Sequence, residues 1–224
     1  MKPIGHIHTV YNTKFGVPRQ AGVINSDTSF IVFEKEFSHP DAFRGLEDFS
    51  HIWLLWDFSE CKDRDFSLTV RPPRLGGNKR VGVFASRSPF RPNSIGLSCV
   101  KLEKIVIDNE QGVVLYVSGA DMMDGTPLYD IKPYLPYTDS HPDALGGYTD
   151  NLSDKILKVD ISDEFLSSVP DDMKKVVLEV LSHDPRPSYQ DDDRIYGMDL
   201  GDFNIKFFVK NRALTVVSIN KINL

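Results

Sequence analysis

Apolar and polar residues alternate from Ile4 to Val10, a period of two that predicts a half-buried strand with His6 and His8 on one face. Phe15 to Gly22 breaks the pattern with Pro18 and glycines, placing Arg19 and Gln20 on a constrained turn. A second strand is predicted over Ser29–Phe33, and a short helical start after Pro40 is stopped by Gly45. Ile52 to Trp56 is apolar throughout, as in a strand buried on both faces or a barrel stave. Strands are further predicted over Phe66–Val70, Val81–Ala85 and Ile95–Ile107, the last long enough to bend. A turn at Asn109–Gly112 returns the chain as Val113–Val117. Short strands at regular spacing between Gly/Pro turns indicate an all-β barrel or sandwich for roughly the first 135 residues.

Beyond that the grammar changes. Pro133 to Asp154 is turn-rich and marks the domain boundary, giving a β domain over residues 1–150 and a smaller one over 151–224. Ser168-Val169-Pro170-Asp171 offers a capping start. Met173, Val176, Val177, Val180 and Leu181 then trace one face of an amphipathic helix. Alternation over Phe203–Val209 and Ala213–Ile219 predicts a terminal hairpin against it. The expected unit is a small α+β module, roughly at the lower size limit for independent folding, that leans on its neighbour.

Composition adds little to the fold and more to the class. The chain has 224 residues with ordinary globular proportions, and its two cysteines, Cys61 and Cys99, argue against a disulfide scaffold. No apolar run approaches the ~18 residues of a membrane span, and the N-terminus lacks a secretory signal, so the expectation is a cytoplasmic protein without membrane contact. His6 and His8 have no matching Cys or carboxylate pair and read as strand residues rather than metal ligands.

Charge changes the picture more. The 37 positions from Phe66 to Leu102 contain no Asp or Glu but seven basic residues, in a chain of net charge −6. The same stretch holds Arg71-Pro72-Pro73-Arg74-Leu75-Gly76-Gly77 and Arg87-Ser88-Pro89-Phe90-Arg91-Pro92-Asn93, stiff loops whose guanidinium forks match phosphate or carboxylate. Phosphate-loop, zincin, nucleophile-elbow and dinucleotide fingerprints are absent from the sequence. Two other stretches stand out. Asp124-Gly125-Thr126-Pro127 is a tight turn opening onto Leu128, Asp130 and Lys132, and Asp184-Pro185-Arg186-Pro187-Ser188-Tyr189 holds an Arg and an aromatic in stiff presentation, as stacking on a splayed RNA base requires. Each is equally consistent with a plain turn or spacer. At this level a noncatalytic RNA-binding module remains open.

Together with Val17-Pro18-Arg19-Gln20, Phe43-Arg44-Gly45-Leu46, Gly82-Val83-Phe84-Ala85, Ile95-Gly96 and Asp130-Ile131-Lys132-Pro133-Tyr134, these blocks resemble the TrmO (TsaA-like) family of tRNA methyltransferases, in order over nearly the whole chain. The resemblance implies a single β-barrel binding S-adenosylmethionine, a small C-terminal domain assisting tRNA recognition, and a homodimer with the cofactor near the subunit interface. It implies methylation of N6 of N6-threonylcarbamoyladenosine beside the anticodon, without a metal. Carried over by position, the cofactor contacts are Pro18, Arg19, Gln20, Ser59, Glu60, Arg87, Leu97, Asp124, Gly125, Thr126 and Pro127. Asp124 or Asp130 is the candidate proton acceptor. Arg71, Arg74, Arg91, Asn93, Arg186 and Tyr189 are assigned to tRNA. The family usually has proline where Ser94 stands, from which a slightly looser loop is expected.

Overall fold

The computed structural model describes residues 1–61, 65–72, 75, 77–150, 156–186 and 194–222. In chain order, β1 (Gly5–His8), β2 (Ser29–Phe33) and β3 (His51–Asp57) precede the short β4 (Thr69–Val70) and β5 (Val81–Gly82). The long β6 (Ile95–Asp108), β7 (Gly112–Ser118) and β8 (Thr126–Pro133) follow. Six of these strands close a barrel in the order β1-β2-β7-β6-β3-β8, and every neighbouring pair is antiparallel. Closure removes the free edges that the open sandwich would have kept.

The apolar run at 52–56 is a barrel stave. Ile52, Leu54 and Trp56 point inward with at most 6% exposure, while Trp53 and Leu55 are half-buried outside. Ile7, Ile31, Leu115 and Leu128 complete an interior at 0% exposure. Gly96 stands opposite Trp56, and a Cβ there would lie 2.1 Å from the indole, so only glycine lets that ring lie across the barrel.

The predicted strands over 66–70 and 81–85 shrink to a two-residue ribbon, β4 with β5, that is not part of the barrel wall. The reason is local capture of the backbone. Val83 N–H donates to the Leu68 carbonyl at 3.1 Å, and the Arg91 guanidinium takes the carbonyls of Val83 (3.1 Å) and Ser86 (2.7 Å), coiling Val83–Ala85 into a 3₁₀ turn. Ser94 does not loosen this region, because its hydroxyl donates to the Pro89 carbonyl at 3.0 Å.

After α1 (Pro136–Asp139), the second unit comprises β9 (Lys158–Asp160), α2 (Asp163–Ser167), α3 (Asp171–Ser182), β10 (Tyr196–Leu200), β11 (Phe203–Lys210) and β12 (Ala213–Lys221). Its sheet runs β10-β11-β12-β9, with β9 parallel to β12. The predicted Ser168 cap is displaced: Ser162 caps α2, and α3 starts after Pro170 without a side-chain cap. Its predicted apolar face holds, with Val176, Val177, Val180 and Leu181 buried.

This second core is not self-contained. Tyr11 (1% exposed) and Ile24 (2%) are integral to it, and Val10, Phe15, Val17 and Val23 pack against it. At Gly16, φ is +104° and a Cβ would lie 2.6 Å from the Met198 sulfur, so the loop needs glycine to dock there. Among the described residues, no helix is long and apolar enough to cross a membrane.

Candidate functional site

Two cavities meet beside the barrel, and Pro89 lines both. The larger, about 1240 Å³, is bordered by Arg19, Arg71, Arg80 and Arg87, with Asp65 as its one acidic lining residue among the described residues, and by Phe84, Phe90 and Tyr148. The smaller, about 220 Å³, is lined by Trp56, Phe58, Met122 and Met123 together with Asp57, Glu60 and Asp121, against Lys14 alone among the described residues. A basic lining in one cavity thus adjoins an apolar and acidic lining in the other.

Barrel geometry builds the smaller pocket. The Trp56 indole N–H donates to Ser98 Oγ at 2.9 Å, and that hydroxyl donates to Asp121 Oδ1 at 2.5 Å. Burial pushes the Asp121 carboxyl above its usual range, opposed by the Ser98 hydroxyl, the backbone N–H of Ala21 and nearby Arg87. The Ala21 bond ties the 18–22 loop to the barrel. Beside it the Tyr129 phenol is raised to about 12, by burial and by its hydrogen bond to Asp57.

The same loop is held from the other side by the C-terminal unit. Arg19 Nη2 donates to the carbonyls of Asp184 (3.2 Å) and Arg186 (2.9 Å), and Arg87 Nη1 donates to Gln20 Oε1 at 2.5 Å. Glu179 on α3 accepts from the backbone N–H groups of Asn25 and Ser26 at 3.3 and 3.0 Å, and from the Ser26 hydroxyl. Burial alone would raise the Glu179 carboxyl, but these donors hold it below its ordinary range.

The expected site residues separate into groups. Arg19, Gln20, Arg71 and Arg87 line the cleft, and Ser59, Glu60 and Thr126 line the small pocket. Pro18 is half-buried between Val17, on the pocket wall, and Arg19. Asp124, Gly125 and Pro127 flank Thr126 on a turn in which Asp124 Oδ1 accepts from Thr9 N–H at 3.0 Å and lies 3.2 Å from His8 Nδ1. His8, read from sequence as an ordinary strand residue, is thus drawn to the Asp124 turn.

Others lie elsewhere. Leu97 is 53% exposed on the outer face of β6, opposite Leu55, which stands opposite Asp130. Asp130 pairs with Lys132 at 2.9 Å and borders neither cavity. Arg91 is spent on the 83–86 carbonyls, and exposed Asn93 lines neither cavity. Arg186, expected on an exposed loop, is instead 7% exposed and clamps Asp184 through Nε (2.9 Å) and Nη2 (3.0 Å), with its guanidinium 5.8 Å from the Tyr196 ring centroid. Arg74 and Tyr189 lie outside the described residues. The sequence assigns no site role to Lys14, Asp57, Phe84, Asp121 or Tyr148, although Asp121 opens the stretch that runs into the Asp124 turn and Phe84 stands in the Gly82–Ala85 block; their place on the cavity walls depends on neighbours distant in the chain. Among the described residues, no cluster of three or more His, Cys, Asp or Glu side chains could hold a metal.

The model for the tRNA-methyltransferase O N-terminal domain matches residues 6–140, and the one for the TrmO C-terminal domain matches 155–222. The chain belongs to the TrmO family. It is 39% identical over 225 residues to the tRNA (adenine(37)-N6)-methyltransferase of Escherichia coli strain K12, covering 96% of this chain and 95% of that one. The enzyme of the same name from Eikenella corrodens is 44% identical over 173 residues, covering 76% and 97%. A crystal structure of TrmO from Pseudomonas aeruginosa superposes with a TM-score of 0.76 at 30% identity over 97% of each chain. The barrel and the C-terminal unit described above therefore carry the two TrmO domains.

Proposed function

We propose that the small acidic pocket takes the methyl donor and the arginine-lined cleft takes the RNA, so that transfer occurs near the wall they share at Pro89. The protein is an S-adenosylmethionine-dependent tRNA methyltransferase acting on N6 of adenosine 37 in its N6-threonylcarbamoyl form. The carrying observation is the adjacency itself: Asp57, Glu60 and Asp121 suit a sulfonium that the arginines of the cleft would repel.

When bound, S-adenosylmethionine supplies a methyl already activated on its sulfonium. The chain's task is to hold N6 in line with that carbon, chiefly a matter of proximity and orientation. Ser59, Glu60 and Thr126 line the donor site, while Arg19, Gln20 and Arg87 border the RNA cleft, with Pro18 between Val17 of the small pocket and Arg19 of the cleft. Arg71 and Arg80 meet RNA phosphates or the threonyl carboxylate as guanidinium forks. As the N6–methyl bond forms at the expense of the methyl–sulfonium bond, the N6 proton passes through water to Asp124, which borders neither cavity but shares its turn with Thr126 of the small pocket and is oriented by Thr9 N–H and His8.

Leu97 and Asp130 act from a second protomer in this reading. Ile95 (37% exposed) and Leu97 (53%), with half-buried Leu55 and Tyr129, form an apolar outer face that suits a homodimer contact. The C-terminal domain assists tRNA recognition, and the protein works in the cytoplasm.

The test is methyl transfer in vitro from radiolabelled S-adenosylmethionine to tRNA with or without the threonylcarbamoyl group at position 37. Label in the modified tRNA alone is expected. Label in small molecules without tRNA, or RNA binding with no transfer, would sink the reading.

A further inference from the structure

We propose that Phe84 is a stacking platform for a nucleobase splayed from the tRNA loop, an assignment that rests on the methyltransferase reading and adds to it the residue that grips the base. Phe84 is 72% exposed, although its neighbour Val83 is buried at 1%. The 3₁₀ turn over Val83–Ala85 accompanies this outward presentation, and the turn is tied down by hydrogen bonds. Val83 N–H is tied to the Leu68 carbonyl, the Ser86 hydroxyl donates to the Val83 carbonyl at 2.8 Å, and Arg91 bridges the carbonyls of Val83 and Ser86. An exposed ring on a fixed base loses little freedom when a ligand covers it.

Its surroundings select the ligand. The Arg91 guanidinium carbon lies 5.4 Å from the ring centroid, and the ring stands on the cleft with Arg19, Arg71, Arg80 and Arg87, where Asp65 is the one acidic lining residue among the described residues. An aromatic face beside a guanidinium array matches a planar base on an anionic backbone. Arg91 therefore acts as a positioning residue, holding the turn and ring rather than a phosphate.

The experiment compares full-length wild type, Phe84→Ala and Phe84→Trp. Affinity for a fluorescein-labelled anticodon stem-loop carrying N6-threonylcarbamoyladenosine is read by anisotropy. S-adenosylmethionine affinity is read by calorimetry and oligomeric state by light scattering. Phe84→Ala should weaken RNA binding about 10- to 100-fold, with cofactor affinity and oligomeric state unchanged. Phe84→Trp should bind RNA within a few-fold of wild type and have its added fluorescence quenched by the stem-loop. RNA affinity within about twofold of wild type in Phe84→Ala overturns the assignment. So does a change in oligomeric state or cofactor affinity that accounts for the loss, because Phe84 would then serve a subunit contact or the fold. Wild type that binds no RNA takes the functional reading down with it.

Discussion

The barrel and the C-terminal unit bury cores of similar character in opposite ways. The barrel fills itself from its own segment, Ile7 to Leu128, with strands closed on one another. The C-terminal sheet borrows Tyr11 and Ile24, with Val10, Phe15, Val17 and Val23 packed alongside, from a loop that precedes the second barrel strand. That loop also carries Pro18, Arg19 and Gln20. The lesson is that the C-terminal unit holds the loop that brings Val17 to the small pocket and Arg19 and Gln20 to the cleft, so damage to its core should be felt at the cofactor.

The largest expected effect tests that asymmetry. Phe207→Ala, at a fully buried position of β11, should cost about 3–5 kcal/mol in urea unfolding, and Leu115→Ala in the barrel about 2–5 kcal/mol. Only the first should weaken S-adenosylmethionine binding under conditions where both variants remain folded. Equal loss of affinity in the two would erase the distinction. Next, Arg186→Ala leaves Asp184 without its bidentate partner and slackens the carbonyls that hold Arg19. A loss of about 3–5 kcal/mol is expected, with a raised KM for the cofactor. Arg186→Lys should not restore either, because an ammonium cannot fork. If instead only tRNA affinity falls and the melting curve is unmoved, Arg186 is an RNA contact after all.

Glu179→Gln should cost about 1 kcal/mol at neutral pH. Because the folded Glu179 carboxyl is held below its ordinary value of 4.5, its stabilising contribution is present above that pH and is lost as pH falls through the lower folded value. The variant should therefore show a flatter acid limb in a stability profile, and an unchanged limb would show that the 25–26 grip is not energetic. Smallest, Tyr11→Phe removes a buried hydroxyl that has no hydrogen-bond partner among the described residues, so unfolding should become harder by about 1 kcal/mol. A loss of stability would mean that the hydroxyl is satisfied in solution.

Much of this was legible in the chain. Period-two patterning at 4–10 and 29–33 and the apolar run at 52–56 specified barrel strands, because alternation dictates which face is buried. The helix at 171–182 was equally plain from its spacing. The strands predicted over 66–70 and 81–85 form only in part because local β propensity there loses to the Arg91 guanidinium, which takes two carbonyls out of any ladder. Strand β10 alternates Tyr196, Met198 and Leu200 with Gly197 and Asp199, but over five residues that pattern is too short to be distinguished from a loop by sequence alone.

By itself the sequence determined the family, the two-part organisation and the concentration of positive charge over residues 66–102, since these are carried by order, spacing and composition. Tertiary structure alone decided which arginines line the cleft. Arg71, Arg80 and Arg87 do so, whereas Arg91 and Arg186 are consumed by backbone carbonyls and a half-buried carboxylate. It also decided that Asp121 becomes a half-buried acid on the wall of the small pocket. The physical reason is common to both. A guanidinium or carboxylate is read the same way everywhere in a sequence, but its role is set by desolvation and by partners from distant parts of the chain, and only the closed barrel and its docked loop bring those together.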